Sequence, residues 1–376
     1  MTGALGVNSE RRPAKTSLLA PLTTFRFFAA LAIVVFHVEQ DKAPLYLASG
    51  VSFFFVLSGF VLTYVHPRLD EPGSFPRFWI ARLSRIWPLH VFTFLLVLAF
   101  RPFGWLPNKH FVFEAFCNVF LLQCWIPVQR VCQSFNLVSW SLSVEMFFYA
   151  VFPLLLPWVF RHPARMFLAA IALNVMLATG VAFTNLPDTN SGQQPDYVAF
   201  LFWPPLHLYE FVLGMAAAVW WLKAPRTSAN SSWGWIEIVV LGGVLFLIPQ
   251  LNALAQMLTL GHTGRMVDLQ MANFLRALLF ALVIYVFAFQ AGLLSRLLSQ
   301  AWLVYLGEIS FSIYMIHCII FEPYRQLKLN LPSVLIWSIY GAAVFTASAL
   351  LYRFLEKPAR KGLAAFLDRR LGLAPK

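Results

Sequence analysis

The sequence predicts an all-α polytopic membrane protein, a bundle of about ten transmembrane helices plus one re-entrant or interfacial segment. Three observations carry that reading. Of 376 residues, 60% are hydrophobic and 12% charged, where soluble domains carry about 25% charged residues. Apolar runs of about 20 residues, each long enough to cross a bilayer, recur along the whole chain. The short segments between them differ sharply in charge. Lys and Arg outnumber Asp and Glu by 28 to 16, for a net charge of +12. Lying between apolar spans, these cations read as topology signals and anion sites. The expected surroundings are therefore membrane lipid, with no nucleic acid, and a homodimer is compatible with the pattern.

The opening segment MTGALGVNSERRPAKTS is basic and lacks a small-residue cleavage pattern. Residues 1–21 are therefore expected to form a retained cytoplasmic tail and not a signal peptide. Spans follow at 22–40, 45–65, 86–103, 140–160, 166–183, 204–222, 235–254, 274–293, 302–321 and 332–353. The basic segments ERRPAK, RFWIARLSR, RHPAR, KAPR and EKPARKGLAAFLDRR belong inside, whereas TNLPDTNSGQQPD, with acids and no Lys or Arg, belongs outside. Ten crossings with both termini cytoplasmic satisfy every basic loop. Residues 111–126 (FVFEAFCNVFLLQCWI) would add an eleventh crossing and invert all later loops. They are expected to be re-entrant or to lie at the outer surface, with their backbone shielded by protein. Residues 22–358 then form one transmembrane domain, and 359–376 a basic cytoplasmic tail.

Polar groups inside the spans carry the functional reading, because a charge at mid-membrane costs on the order of 2.5–3.5 kcal/mol even on a mild scale. In TFRFFAALAIVVFH, Arg26 and His37 are separated by nearly three whole turns and about 16 Å of rise. They share one helix face, with the arginine towards the cytoplasm. In WSLSVEMFFYAVFP, Ser141 and Glu145 share a face, as do Glu145 and Tyr149. This helix enters from outside, so Glu145 falls in the outer half, where His37 is a reasonable partner for a carboxylate that cannot stay unpaired. In GEISFSIYMIH, Ser310, Tyr314 and His317 again share a face, and PLHLYEFVLGM adds His207 and Glu210 near an outer helix end. Each alone is an ordinary packing hydrogen bond. Together they predict an outer-half polar pocket.

The cytoplasmic side differs. FPRFWIARLSRIWP places Arg82 and Arg85 on one face, with Arg77 before them. Guanidinium forks match phosphate oxygens, although the positive-inside rule alone also asks for basic residues here. No P-loop or Gly-rich dinucleotide fingerprint accompanies them, which argues against a nucleoside triphosphate. No His/Cys cluster has metal spacing, so no metal is expected. None of the four cysteines (Cys117, Cys124, Cys132 and Cys318) forms a thiol–base motif, and Cys318, adjacent to His317, is expected to point elsewhere on its helix. Cys124 and Cys132 both fall outside, where a disulfide is chemically allowed and buried free thiols are the default.

These motifs, in their order and spacing, resemble the integral-membrane acyltransferases of acyltransferase family three, which includes bacterial O-antigen, exopolysaccharide and peptidoglycan O-acetyltransferases. The resemblance rests on Arg26 and His37, GVSFFFVLSGFVLTY (50–64), RFWIARLSRIWP (77–88), WSLSVEMFFYAVFP (140–153), EFVLGM (210–215), GEISFSIYMIH (307–317) and FLEKP (354–358). It implies ten core helices in a bacterial inner (cytoplasmic) membrane. It also implies acyl transfer from cytoplasmic acyl-CoA, most often acetyl-CoA, to a hydroxyl of an extracytoplasmic or lipid-linked glycan. Arg26 and His37 match the family's essential pair, Arg82 and Arg85 its paired arginines, and Glu145 the acid of its tryptophan–serine motif. Phe311 stands where "SY" is common, a tolerable departure at a packing position. Many relatives add a C-terminal esterase-like domain, which this sequence lacks after EKP, so the expectation is a stand-alone enzyme or one that hands its acyl group to a partner.

The expected mechanism is direct transfer. Arg82, Arg85 and Arg77 hold the CoA phosphates, and the pantetheine arm runs past Arg26. Neutral His37 acts as general base on the acceptor, and Glu145 orients its imidazole. Ser141, Ser310, Tyr314 and Arg26 are the available oxyanion donors, and Glu210 and His317 complete the acceptor pocket. A route through an acylated residue stays open, without a clear nucleophile in the sequence. The competing class is a proton-coupled transporter or flippase of a polysaccharide precursor, which would use His37 and Glu145 as a proton relay. A purely structural assembly factor is the third reading.

Overall fold

In hydrocarbon every backbone N–H and C=O must be satisfied within its own segment, and these apolar runs meet that demand as helices. The computed structural model describes residues 19–39, 42–100, 109–184, 197–225, 231–258, 265–326 and 332–371. The expectations placed on the tail 1–18, on the acidic loop 185–196 and on Arg226 lie outside the described residues. Among those described there is no strand. The elements run α1 (Ala20–Glu39), α2 (Gly50–Val65), α3 (Ser74–Phe100), α4 (Phe111–Val119), α5 (Gln129–Cys132), α6 (Trp140–Arg161), α7 (Pro163–Phe183) and α8 (Tyr197–Phe200). They continue with α9 (Leu208–Lys223), α10 (Ser231–Leu247), α11 (Leu251–Leu258), α12 (Arg265–Phe287), α13 (Leu293–Leu298), α14 (Ala301–Gln326), α15 (Ser333–Leu351) and α16 (Lys357–Arg370). Ten helical segments of the described residues are long and apolar enough to cross a bilayer, the number that charge parity requires.

The segment 111–126 is not among them. Nine residues of α4 reach only about 14 Å, and a 3₁₀ turn at Gln123–Trp125 follows. This short helix turns Glu114, Cys117 and Asn118 inward and leaves Val112, Phe113, Phe116 and Phe120 exposed. Hydrogen bonds hold the cap down. Asn118 O meets His90 Nε2 at 2.8 Å, Asn118 Nδ2 donates to Ser134 O at 2.8 Å, and Ser143 Oγ donates to Leu121 O at 2.7 Å. Cys124 and Cys132 are buried free thiols, and burial pushes the Cys124 thiol well above its usual range.

Two boundaries differ from the sequence reading, and both matter for the site. The third span starts at Ser74, not at 86. Pro76 falls in the first turn, where its missing N–H costs nothing, and the arginine stems cover apolar surface while their heads stay polar. Arg77, Arg82 and Arg85 therefore ride on a rigid helix. The last span, read as 332–353 from hydropathy, is followed by further helix. A π-helical turn at Tyr352–Glu356 leads straight into α16, which runs to Arg370 and packs against α3. Such turns re-aim side chains, and here Glu356 is buried.

At the centre α2 and α9 lie against each other with no room to spare. A methyl group built on Gly59 would stand 2.0 Å from Phe211 O, and one on Gly214 would stand 1.9 Å from Val56 O. Without a hydrophobic drive between helices in lipid, such close backbone approach is what packing has to offer. The α7, α10–α11 and α15 segments form the rim, with most of their residues facing outward.

Candidate active site

A cavity opens between α1, α2, α3, α6 and α14 and holds about 1160 Å³ of empty space, the solvent at its mouth included. Arg26, Arg82, Arg85 and Glu145 line one end, together with Tyr149. Ser141 and Tyr314 line it on the way towards the other end of α14, and apolar residues of α2, among them Phe54, Leu57 and Val61, form its dry wall. The cavity thus has a charged end and a neutral end.

At the charged end, Glu145 lies within electrostatic reach of Arg85, Arg26 and Arg82, and Tyr149 donates its hydroxyl to Glu145 Oε2 at 2.9 Å. Glu356 accepts from Ser312 Oγ at 2.9 Å and feels Arg85, Arg26 and Arg360. Four guanidiniums therefore face two carboxylates. Among the described residues, no ion pair within 4.0 Å joins any of the four to either acid. The Nε of Arg82 is buried with no hydrogen-bond partner. A donor buried without an acceptor is costly, and with four guanidiniums against two carboxylates this end suits an anion.

The neutral end is closed by hydrogen bonds. The hydroxyl of Tyr314 donates to Val138 O at 2.9 Å and lies 2.9 Å from Ser141 Oγ. Beyond it, ring centroids step 6.1 Å from Tyr314 to His317 and 5.1 Å from His317 to His37. His317 Nδ1 meets the carbonyl of Tyr314 at 2.8 Å and that of Ile313 at 3.2 Å. A carbonyl only accepts, so this nitrogen carries the proton and Nε2 presents its lone pair. That lone pair faces His37 Nδ1 at 3.1 Å and Cys318 Sγ at 3.2 Å. His37 Nδ1 also meets Ile33 O at 3.0 Å, so it too is protonated, and His37 Nε2 is left as a free base.

These contacts redistribute the residues singled out from sequence. Arg26, Arg82, Arg85, Ser141, Glu145 and Tyr314 share one cavity. The expected His37–Glu145 pair is corrected: the carboxylate sits among Arg85, Arg26 and Arg82, and the imidazole lies between Ile33 O and His317. Ser310 turns its hydroxyl back to Gly307 O at 2.7 Å, so it offers nothing to the cavity. Glu210 is enclosed by Ser52, which donates to it, and by His207 Nδ1 at 2.8 Å. It serves as a lock between α2 and α9. Arg77 sits in the first turn of α3, outside the cavity lining. Sequence reading missed Glu356 and Arg360, although both lie in EKPAR, because only the π turn brings them to the arginines.

Cys318 is the second correction. Consecutive helix residues start about 100° apart, but the bond from Nδ1 to the preceding turn folds the His317 ring against its own helix and swings Nε2 to the thiol. With His37 this places three donor atoms within 4.8 Å, a cluster invisible to spacing because its members come from α1 and α14. A metal ion would need the lone pair of His37 Nδ1, which Ile33 O opposes. As it stands, the set is a hydrogen-bonded relay.

An acyltransferase domain model matches residues 21–353. The acyltransferase MdmB of Streptomyces mycarofaciens is 30% identical over 97% of this chain and 99% of its own length. The peptidoglycan O-acetyltransferase OatA of Listeria monocytogenes is 23% identical over 89% of this chain, and the O-acetyltransferase OatA of Staphylococcus aureus 23% identical over 93%. The chain spans only 55% and 58% of those two longer proteins. No solved structure matches it.

Proposed function

This chain belongs to acyltransferase family three, and from that premise we propose that it moves an acyl group, acetyl first, from cytoplasmic acyl-CoA to a hydroxyl of an extracytoplasmic or lipid-linked glycan. The observation that carries the donor assignment is the arginine cluster, four guanidiniums against two carboxylates, at one end of a largely apolar cavity. CoA has the matching shape, with phosphates at one end, a thin pantetheine arm and a thioester at the tip. Arg82, Arg85 and Arg360 would take the phosphates, Arg26 would border the arm, and the thioester would arrive beside Ser141 and Tyr314. Their hydroxyls are the donors nearest to the developing oxyanion.

His37 then acts from the far side. Its Nε2 takes the proton from the acceptor hydroxyl as the oxygen attacks the acyl carbon, and returns it to the departing sulfur. The Ile33 carbonyl, with His317 beside it, holds the tautomer this requires, the part the sequence assigned to Glu145. Metal chemistry has no role in this proposal. The transporter reading explains the histidines but gives Arg82 and Arg85, which line the cavity, no role beyond topology. Purified protein separates the two. CoA should raise the melting temperature of wild type and of His37→Ala, with a weaker effect on Arg82→Ala. A wild type whose melting temperature CoA never shifts, at low or high salt, hands the case to the transporter.

A further inference from the structure

The scheme above leaves one nucleophile unused. Cys318 is 5% exposed and lies one helical turn, about 6 Å, past Tyr314 on the same face of α14. Its Sγ is 3.2 Å from His317 Nε2. That imidazole is completely buried, and its other nitrogen is fixed by the carbonyls of Tyr314 and Ile313. A thiol, a base within hydrogen-bond reach and a third group that fixes the tautomer of the base make up the geometry of an activated nucleophile. The lone pair of His317 Nε2 can serve only one proton donor at a time. His37 Nδ1 has an alternative acceptor in Ile33 O, whereas among the described residues the Cys318 thiol has no acceptor besides His317. The imidazole is therefore at the disposal of the thiol.

Resting on the acyl-CoA reading, we propose that Cys318 is a transient acyl carrier, so that transfer proceeds in two half-reactions served by two different histidines. In the first, His317 Nε2 takes the thiol proton and the sulfur attacks the CoA thioester. A new thioester forms on Cys318, the old carbon–sulfur bond breaks, and the proton passes to the leaving CoA sulfur. In the second, His37 Nε2 deprotonates the acceptor hydroxyl, its oxygen attacks the Cys318 thioester, and the proton ends on the Cys318 sulfur. Thioester exchange is nearly isoenergetic and consumes no oxidant or reductant. It also moves the acyl group beyond the Tyr314 closure, towards His37, while CoA stays anchored at the arginines. One imidazole per step accounts for two touching histidines where a single base would suffice.

The test uses full-length protein in detergent or nanodiscs, acetyl-CoA labelled in the acetyl group, and no acceptor. Wild type should retain label that neutral hydroxylamine releases and that maps to the peptide carrying Cys318. It should also exchange labelled CoA into unlabelled acetyl-CoA. Cys318→Ala should lose both signals while acetyl-CoA still raises its melting temperature. Cys318→Ser, the conservative variant, should show either no label or label that survives neutral hydroxylamine. Wild type that binds acetyl-CoA and acetylates acceptor without label or exchange overturns the carrier, as does Cys318→Ala working at the wild-type rate. Wild type that fails to bind acetyl-CoA overturns the donor reading as well, so the two failures are distinguishable.

Discussion

The arginine end of the cavity and the histidine cluster beyond its closed end solve the problem of buried polarity in opposite ways. At the arginine end, Arg26, Arg82, Arg85 and Arg360 outnumber Glu145 and Glu356, and among the described residues no close ion pair relieves them. In the histidine cluster the polar groups are neutral and mostly paired, with His37 Nε2 left open: Tyr314 with Val138 O, Ser141 with Tyr314, and His317 with His37 and Cys318. An imbalance that stays in place signals a ligand that supplies the missing charge. A mostly paired, uncharged cluster signals chemistry in which protons move between neutral groups. Under the proposed function, binding and reaction fall in separate places, as suits a donor with a charged handle and a distant thioester.

Four substitutions break or sharpen this contrast. Gly214→Leu attacks what both ends stand on, because any side chain there runs into Val56 O. We expect loss of folded protein, read as loss of a monodisperse peak in size-exclusion chromatography of a fluorescent fusion. His37→Ala should lower the turnover of acyl transfer by on the order of 10²–10⁴-fold, the usual worth of a general base, with CoA binding unchanged. Arg85→Ala should weaken CoA binding by about tenfold to a hundredfold, the range for charge-assisted hydrogen bonds, and flatten its salt dependence, with turnover at saturating donor largely kept. Glu145→Gln should have the smallest effect. It removes one compensating charge near the arginines, so CoA should bind at least as tightly, and the pH profile of turnover should not move. A shifted profile would restore Glu145 as the partner of His37.

Much of this was legible in the chain, for definite reasons. Hydropathy is a local sum, so the spans at 45–65 and 166–183 came out close to the helical segments observed. Charge parity is a global constraint, and it correctly refused 111–126 as a crossing. The face shared by Ser141 and Glu145 followed from helix geometry, and both do line the cavity. The start of α3 was misjudged because Pro76 and three arginines look like a loop to a hydropathy window, although a first-turn proline and snorkelling stems suit a helix. Ser310 and Glu210 were read as pocket residues on spacing alone. Spacing places a side chain on a helix face without saying what that face meets.

By itself, then, the sequence determined the solvent, the number of candidate spans and the residue types available for chemistry, because each depends on composition within one segment or on alternation along the chain. Only the tertiary structure decided which polar groups meet. It drew Glu145 to the arginines, set His317 against His37 across α1 and α14, and laid the Cys318 thiol on an imidazole from its own helix. These pairings depend on the rotation and tilt of each helix against its neighbours, which packing at contacts such as Gly59 and Gly214 fixes.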